Sequence, residues 1–231
     1  MARRPRRSAA RTANWRRAGW LRGRYGWAIR IAALIALAVA GIGELRQSDW
    51  VYPVARPFDR ALYPHWIDAD GNCRDTRAEV LVRDSLVAPA LSADDCAVVG
   101  GRWYDPYTGR TILDPRDLDI DHRIPLAEAH RSGADRWAPA RRQAFANDLS
   151  HPDTLVAVDR SANRSKGDGD PLSWLPPAWD HRCAYVRDWR ATKERWDLAE
   201  DALEALGIDA VLWVCARLEP PAAQSRQAGK R

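Results

Sequence analysis

The spacing of apolar positions divides the chain into one long apolar run near the N-terminus and many short segments after about residue 63. Short runs rich in β-formers predict strands at residues 118–120 and 155–158, and a β-hairpin within residues 96–113. Helical spacing and capping residues predict helices at residues 76–86, 125–132, 139–147, 161–166, 179–196, 198–206 and 208–218. Many helices with few short strands predict an α+β fold.

A stripe of large side chains marks the helix predicted at residues 179–196. Trp179, Cys183, Val186, Trp189, Lys193 and Trp196 recur at helical spacing, as the buried face of an amphipathic helix does. Lys193 is expected at the edge of the stripe, with its ammonium group reaching solvent. The tryptophans are therefore interpreted as core residues and not as a surface for stacking bases.

Charge is distributed unevenly along the chain. Residues 1–43 contain ten Arg and no Asp or Glu, which leaves 26 basic against 31 acidic residues in the remainder. The folded part is acidic on balance, so it can attract nucleic acid only through a local basic patch or a bound cation. The Arg-rich residues 1–24 are expected to be disordered and to lie on the cytoplasmic side of the apolar run, or else to form a nucleic-acid-binding arm.

The apolar run predicts export from the cytoplasm. Residues 31–43 carry no charge, and residues 25–43 would span roughly 28 Å as a helix, close to the bilayer core of about 30 Å. The segment is either a signal peptide, cleaved after Ala38-Val39-Ala40, or a single anchor with a cytoplasmic N-terminus. In both cases the folded part is secreted or membrane-anchored outside the cytoplasm.

The remainder of the chain is predicted to form one domain between two irregular segments. Residues 44–62 are expected to be a linker, residues 63–218 the folded domain, and residues 219–231 a disordered tail. The domain is long enough to bury a substantial core.

All four cysteines lie in the predicted domain, at Cys73, Cys96, Cys183 and Cys215. No pair has the two-residue gap of a zinc knuckle, so an exported domain is expected to form two disulfides. Of the three connectivities, Cys73–Cys96 with Cys183–Cys215 is favoured because each pair lies within one block of sequence.

The candidate chemistry lies within residues 119–171. Asp121 and His122 come at the end of the first predicted strand, and Asn163 and Lys166 share a face of the helix after the second. They supply two oxygen ligands, a general base and a cation that can face a phosphate. Phosphodiester hydrolysis needs such a set, because a water must lose a proton and the charge on the phosphate must be neutralised. The sequence therefore predicts metal-assisted cleavage, with Mg²⁺ favoured and Mn²⁺ the other candidate.

Strand geometry sets a condition on this site. Neighbouring strand residues point to opposite faces, so Asp121 and His122 can serve one site only if the strand ends or bends between them, which Pro125 favours. Asn163 is a poor helix former, which a ligand role explains and an ordinary surface position explains too. Lys166 can alternatively interact with the C-terminal dipole of its helix.

At these residues the sequence resembles the HNH endonucleases, also called ββα-metal or His-Me finger nucleases. It is most similar to their exported single-domain members and to the nuclease part of GmrSD-type restriction enzymes. The matching pieces are Asp-Ile-Asp-His-Arg-Ile-Pro-Leu-Ala-Glu-Ala (119–129), Leu-Val-Ala-Val (155–158) and Ser-Ala-Asn-Arg-Ser-Lys-Gly-Asp (161–168). The resemblance covers about residues 63–217 and implies a ββα-metal core in a mostly helical, disulfide-stabilised domain.

The resemblance also implies a role for each matching position. Asp121 and Asn163 resemble the metal ligands, and His122 resembles the general base that activates water. Lys166 is expected to face the phosphate. Thr154 stands where the family usually has an Asn that positions the base, so we expect it to affect the rate more than metal binding.

Arg77 and Asn147 are further candidates for phosphate or scaffold contacts. A surface position in the first turn of a helix explains Arg77 better, and a helix C-terminus explains Asn147 equally well. The resemblance implies a metal-dependent DNA endonuclease of low specificity. The expected partners are nucleic acid, DNA before RNA, and the membrane if residues 25–43 are retained. The alternative is a non-catalytic cell-envelope binding module on the same scaffold, which Thr154 and the acidic balance favour.

Overall fold

The computed structural model describes residues 56–218, which all lie in one compact unit of the chain, Tyr52–Arg231. The predicted Arg-rich segment, the export segment, most of the linker and the tail lie outside the described residues. No helix between residues 56 and 218 is long and apolar enough to cross a membrane. Residues 56–62 were predicted to end the linker, but Leu62 packs against the core. The domain therefore begins before the predicted boundary at Tyr63.

The described residues combine helices with short strands. The α-helices are α1 (Thr76–Asp84), α2 (Leu126–Arg131), α3 (Pro139–Ala146), α4 (Arg160–Lys166), α5 (Arg182–Trp196) and α6 (Ala202–Leu218). The strands are β1 (Ala90–Leu91), β2 (Val98–Gly100), β3 (Trp103–Asp105), β4 (Arg110–Ile112), β5 (Leu118–His122) and β6 (Leu155–Asp159). Short 3₁₀ helices occur at Arg60–Leu62, Pro115–Asp117, Ala134–Arg136 and Trp179–His181. This content confirms the α+β class.

The strands form antiparallel pairs, β1–β2, β3–β4 and β5–β6, within residues 56–218. The predicted hairpin is the pair β3–β4. In the central pair, Leu118 lies opposite Asp159 at one end and His122 lies opposite Leu155 at the other. The helix α4 follows β6 directly because the Asp159 carboxylate accepts from the Ala162 backbone N–H at 2.9 Å and so caps the helix.

The β5–β6 pair lies between two hydrophobic clusters, because side chains of a strand alternate between its two faces. One face places Leu118 and Ile120 in a cluster around Trp103. The other face places Val158 in a larger cluster to which α2, α3 and α5 contribute. Both faces of this short ribbon are therefore covered.

The predicted break between Asp121 and His122 does not occur. Strand β5 runs through both residues, and the Arg123 backbone N–H then donates to the Thr154 carbonyl at 2.8 Å. His122 shares the face of Ile120, and Asp121 points to the opposite face. The two side chains reach one site because a cleft lies along the edge of β5, where both faces of the strand border it.

Both predicted disulfides are confirmed. Cys73 is bonded to Cys96, and Cys183 of α5 is bonded to Cys215 of α6. Among residues 56–218 no cysteine is free. The first bond joins the loop before α1 to the β1–β2 loop, and the second joins the last two helices.

The two helices predicted at residues 198–206 and 208–218 form one helix, α6. Gly207 lies inside it for a packing reason, since a Cβ at this position would lie 2.9 Å from the Leu172 Cβ. This glycine therefore marks a close contact and not a helix boundary.

Lys193 was predicted to reach solvent, but its side chain is only 1% exposed. Its Nζ donates to Glu128 at 2.8 Å and to Glu204 at 2.6 Å. Trp179, predicted to begin the buried stripe, is 62% exposed. The stripe on α5 is therefore a core face with a buried ion cluster inside it.

Candidate active site

A cleft of about 450 Å³ lies along the unpaired edge of β5. Ile120, Asp121 and His122 all line it, which consecutive strand residues can do only at the edge where both faces meet. Asn163 of α4 also lines this cleft, so the three residues predicted to act together share one space. The other lining residues are Phe58, Arg60, Pro125, Leu126, Ala127, Gly167 and Asp168.

The Asp121 carboxylate is buried and is held by two groups on one oxygen. Its Oδ2 accepts from Lys166 Nζ at 2.5 Å and from the Tyr107 hydroxyl. Burial, and then the Asp121 charge, raise the pKa of Tyr107 well above its ordinary value, so its hydroxyl keeps the proton that it donates. Both contacts fall on Oδ2, and Oδ1 carries neither of them.

Lys166 lies in a different place from the one predicted. Its side chain is fully buried, and Nζ donates to the His122 carbonyl at 2.7 Å as well as to Asp121. Lys166 does not line the cleft, so it cannot reach a phosphate there without leaving both partners. The structure gives Lys166 these two protein partners, and its contact with a phosphate stays a prediction. Burial lowers the pKa of Lys166 to about 8, and the neighbouring Asp121 charge opposes this shift.

The His122 ring lies at the cleft with one nitrogen already committed. Nε2 is 2.9 Å from the Ala146 carbonyl oxygen, which can only accept, so Nε2 donates its proton. In the neutral ring Nδ1 then carries the lone pair. Trp66 stacks on the ring with the centroids 5.7 Å apart. Burial lowers the pKa of His122 to about 4, so the ring is neutral near pH 7.

Thr154 supports the loop that follows the Ala146 carbonyl. Its Oγ1 donates to Asp148 Oδ2 at 3.0 Å, and Trp196 Nε1 donates to the same oxygen at 3.0 Å. The side chain of Thr154 is buried together with this carboxylate. Thr154 thus connects the start of β6 to the segment just after the carbonyl that orients His122.

Asn163 presents its side chain from α4 toward the same cleft. Its Nδ2 donates to Asp119 Oδ2 across 3.3 Å, and the amide oxygen takes no part in that contact. Asp119 shares the face of β5 that carries Asp121. The carboxylate of Asp121 and the amide oxygen of Asn163 therefore border one space that already has negative charge nearby.

Arg77 and Asn147 are scaffold residues and do not line the cleft. Arg77 Nη2 donates to the carbonyls of Pro115 and Leu118, each at 2.9 Å, where β5 begins. Asn147 Oδ1 accepts from Thr76 Oγ1 at 2.8 Å and so joins the end of α3 to the start of α1. Of the two roles predicted for this pair, the structure shows the scaffold contacts.

The donor set at the cleft fits a hard divalent cation. Between residues 56 and 218, no group of three or more His, Cys, Asp or Glu side chains could hold a metal. Asp121 and Asn163 offer one carboxylate and one amide oxygen, and Mg²⁺ is commonly bound by one or two protein ligands with waters completing its shell. The residues present therefore suit Mg²⁺ or Mn²⁺ better than Zn²⁺, which prefers His and Cys.

Several groups at the site were missed from the sequence. Tyr107 and Trp66 lie outside residues 119–171, and neither was considered as a site residue. The Ala146 contact is made by a backbone carbonyl, which has no sequence signature. Phe58 and Arg60 fell in the predicted linker, where the only available signal was an aromatic and a basic residue two positions apart.

Comparison with known proteins gives one similarity and two negative results. The chain is 40% identical over 158 residues to an uncharacterized secreted protein of Arthroderma benhamiae. The alignment covers 68% of this chain and 76% of that protein. No family model matches the chain, and no solved structure matches it. The name of the relative gives its location and no activity.

Proposed function

The chain belongs to the same family as the uncharacterized secreted protein of Arthroderma benhamiae, and we propose that it hydrolyses phosphodiester bonds of nucleic acid at the β5–α4 cleft. The proposed enzyme is an HNH-type endonuclease of low specificity, and its expected substrate is DNA rather than RNA. The observation that carries the proposal is the convergence of Asp121, His122 and Asn163 on one cleft.

The order of elements supports assigning a ββα-metal core. Strands β5 and β6 pair antiparallel, and α4 follows β6 without a loop. Asp121 and His122 lie at the end of β5, and Asn163 lies in α4. This is the arrangement that the resemblance to HNH endonucleases implies for its metal ligands and base.

In the proposed reaction, Nδ1 of His122 takes a proton from a water molecule. The water oxygen forms a bond to phosphorus, and the bond from phosphorus to the leaving ester oxygen breaks. The leaving oxygen takes up a proton from solvent. The Ala146 carbonyl keeps the ring in the tautomer that this step needs, because it holds the proton on Nε2.

A divalent cation, when bound, neutralises charge on the phosphate and stabilises the leaving oxygen. Asp121 would hold it through Oδ1, since Oδ2 already accepts from Lys166 and Tyr107. Asn163 would hold it through its amide oxygen. Lys166 acts here as a positioning residue, because it fixes the carboxylate without facing the cleft.

We place the domain outside the cytoplasm. The two disulfides are typical of oxidising compartments, and the relative is named a secreted protein. Retention of residues 25–43 as an anchor and their removal as a signal peptide are both compatible with this placement. Intact-mass measurement of the mature protein distinguishes the two.

One observation favours the alternative of a non-catalytic envelope-binding module. Asp121 already has a buried cation as a partner, since Lys166 Nζ lies 2.5 Å from it. A scaffold without hydrolytic activity could keep this pair for stability. Metal binding without turnover of DNA or RNA would support a binding role over hydrolysis.

The test is a plasmid cleavage assay with Mg²⁺ or Mn²⁺, with and without a chelator, paired with calorimetric Mn²⁺ titration. We expect nicking and linearisation only with metal, and weaker Mn²⁺ binding by Asn163→Ala. Asn72→Ala, in a turn on another part of the surface, is the matched control. Cleavage that persists in the chelator, or Mn²⁺ binding unchanged in Asn163→Ala, would overturn the proposal.

A further inference from the structure

Arg60 is the one cationic side chain among the described residues that line the cleft. Lys166, expected to serve a phosphate, is buried behind Asp121. Resting on the proposed function, we infer that Phe58 and Arg60 form a nucleotide subsite beside His122. Arg60 binds a phosphate next to the scissile one, and Phe58 stacks on an unpaired base.

The Arg60 guanidinium is exposed and has no carboxylate partner among residues 56–218. Its Nη2 lies 3.3 Å from His65 Nε2. His65 Nδ1 lies 2.8 Å from the Tyr63 carbonyl oxygen, which only accepts, so Nδ1 carries the proton and Nε2 accepts from Arg60. This chain of bonds aims the guanidinium at the cleft while leaving its other donors for a phosphate, the anion that an Arg fork matches well.

Arg60 also lies close to His122, the proposed general base. Arg60 Nη2 contacts His65 Nε2 at 3.3 Å, and the His65 ring is a neighbour of the His122 ring. The His65 and His122 ring centroids are 6.3 Å apart. A phosphate bound by Arg60 would therefore lie next to the linkage that the water activated by His122 attacks.

Phe58 provides a fixed aromatic surface at the same opening. The side chain is 40% exposed, and its ring packs against Tyr63 and His130 with centroid distances of 6.0 and 5.7 Å. His130 Nε2 donates to the Arg56 carbonyl at 2.9 Å, and its Nδ1 accepts from the Tyr63 hydroxyl at 3.0 Å. These bonds fasten the segment that carries Phe58, so the exposed part of the ring is available to a ligand.

The two residues together predict a preference for unpaired nucleotides. A base can stack on Phe58 only after it leaves its own helical stack, and base–aromatic stacking contributes about 1–3 kcal/mol per base. Asp168, which also lines the cleft, is exposed and paired with Arg131 at 2.8 Å. Single-stranded or frayed nucleic acid should therefore bind better than intact duplex.

The test uses Arg60→Gln and Phe58→Leu in the full-length protein. Arg116→Gln, at an 87% exposed arginine outside the cleft, and Tyr104→Leu, at an aromatic residue that is also 40% exposed, are matched controls. Binding of a short fluorescent single-stranded DNA and its duplex is measured by anisotropy in a chelator, and KM and kcat are measured with Mg²⁺. All variants are first compared by thermal unfolding.

We expect Arg60→Gln to raise the Kd and KM about ten-fold for both substrates, because a charged hydrogen bond is lost. Phe58→Leu should raise them about ten-fold for the single strand and little for the duplex. If both variants match their controls while the wild type binds and cleaves, the subsite is wrong and the proposed function stands. If the wild type neither binds nor cleaves any nucleic acid, the proposed function itself fails.

Discussion

Lys193 and Lys166 are both buried and both pair with carboxylates, but the two carboxylate environments differ. Lys193 lies between α2, α5 and α6, where its Nζ contacts Glu128 at 2.8 Å and Glu204 at 2.6 Å. All three side chains of this cluster are at most 2% exposed. The cluster is closed on every side by protein.

Lys166 has one carboxylate, that of Asp121, and the carbonyl of His122. The cleft lies on the other side of this carboxylate. The ammonium group of Lys193 pairs with two buried carboxylates, and neither of them lines the cleft. The Asp121 carboxylate pairs with one lysine and borders the cleft, so it can bind a second cation there. This difference separates a structural ion cluster from a candidate metal site.

Lys193→Met should have the largest effect on stability. It leaves Glu204 buried without its cation and leaves Glu128 with Arg131, at 3.0 Å, as its remaining cation. Breaking such a buried cluster costs about 3–5 kcal/mol. Denaturant unfolding measures the loss, and cleavage per folded molecule at low temperature should be unchanged. A loss below that of Lys166→Met would contradict the view that this cluster is the structural one.

The pH dependence of stability should separate the two regions. Burial raises the pKa of Glu204 from 4.5 to about 7, so the native state binds the extra proton and stability falls as pH rises through this window. Burial lowers the pKa of His122 from 6.5 to about 4, so stability rises with pH between these values. Each shift contributes at most about 3.5 kcal/mol.

These opposite trends should partly cancel in the wild type. Glu204→Gln removes the fall in stability that Glu204 causes. The free energy of unfolding of this variant is therefore expected to rise more steeply than that of the wild type between about pH 4 and pH 6.5. The measurement is denaturant unfolding in a chelating buffer across this range. If the free energy of unfolding of Glu204→Gln changed with pH as steeply as that of the wild type, Glu204 and His122 would not have opposite effects on the pH dependence of stability.

Lys166→Met should destabilise the metal-free protein less than Lys193→Met, by about 1–3 kcal/mol, because Asp121 keeps the Tyr107 hydroxyl and can be hydrated from the cleft. Mg²⁺ should then raise the melting temperature of Lys166→Met more than that of the wild type, since a ligand that binds only the native state stabilises it. Mg²⁺ should not restore Lys193→Met. Equal responses in both variants would remove the distinction between the two lysines.

Thr154→Val should have the smallest effect. It removes the hydrogen bond to Asp148 and the one that Thr154 Oγ1 accepts from Arg195 at 3.1 Å, with an expected loss of about 1–2 kcal/mol. The cleavage rate should fall several-fold while Mn²⁺ affinity stays unchanged, because the loop supports His122 and not the ligands. A parallel fall in Mn²⁺ affinity would place Thr154 with the metal instead.

Local sequence signals predicted most of the elements around the site. The β5 and β6 strands, the capped helix α4 and both disulfide pairings follow from short-range pattern, turn chemistry and the position of the cysteines. Gly207 misled the prediction of α6, since a glycine that ends a helix and one that admits a neighbour look alike in sequence. Only the packed structure shows Leu172 against it.

Long-range burial explains the other differences. Lys166 was expected to face a phosphate and Lys193 to reach solvent, because nothing in the local sequence shows that a carboxylate lies opposite either side chain. Asp121 and His122 were expected to need a break in β5, whereas an unpaired strand edge lets both faces border one cleft. Arg60 was not considered, because a short segment before the first long helix has no periodicity that marks it as part of a site.

The most direct measurement compares plasmid cleavage by wild type, His122→Ala and His151→Ala with Mg²⁺, after thermal unfolding shows that the three proteins are equally folded. His151 is exposed and lies outside the cleft, so it controls for the loss of an imidazole. The account predicts a fall of about a hundred-fold or more for His122→Ala alone, the scale expected for a lost general base. Cleavage by His122→Ala at the wild-type rate would contradict it.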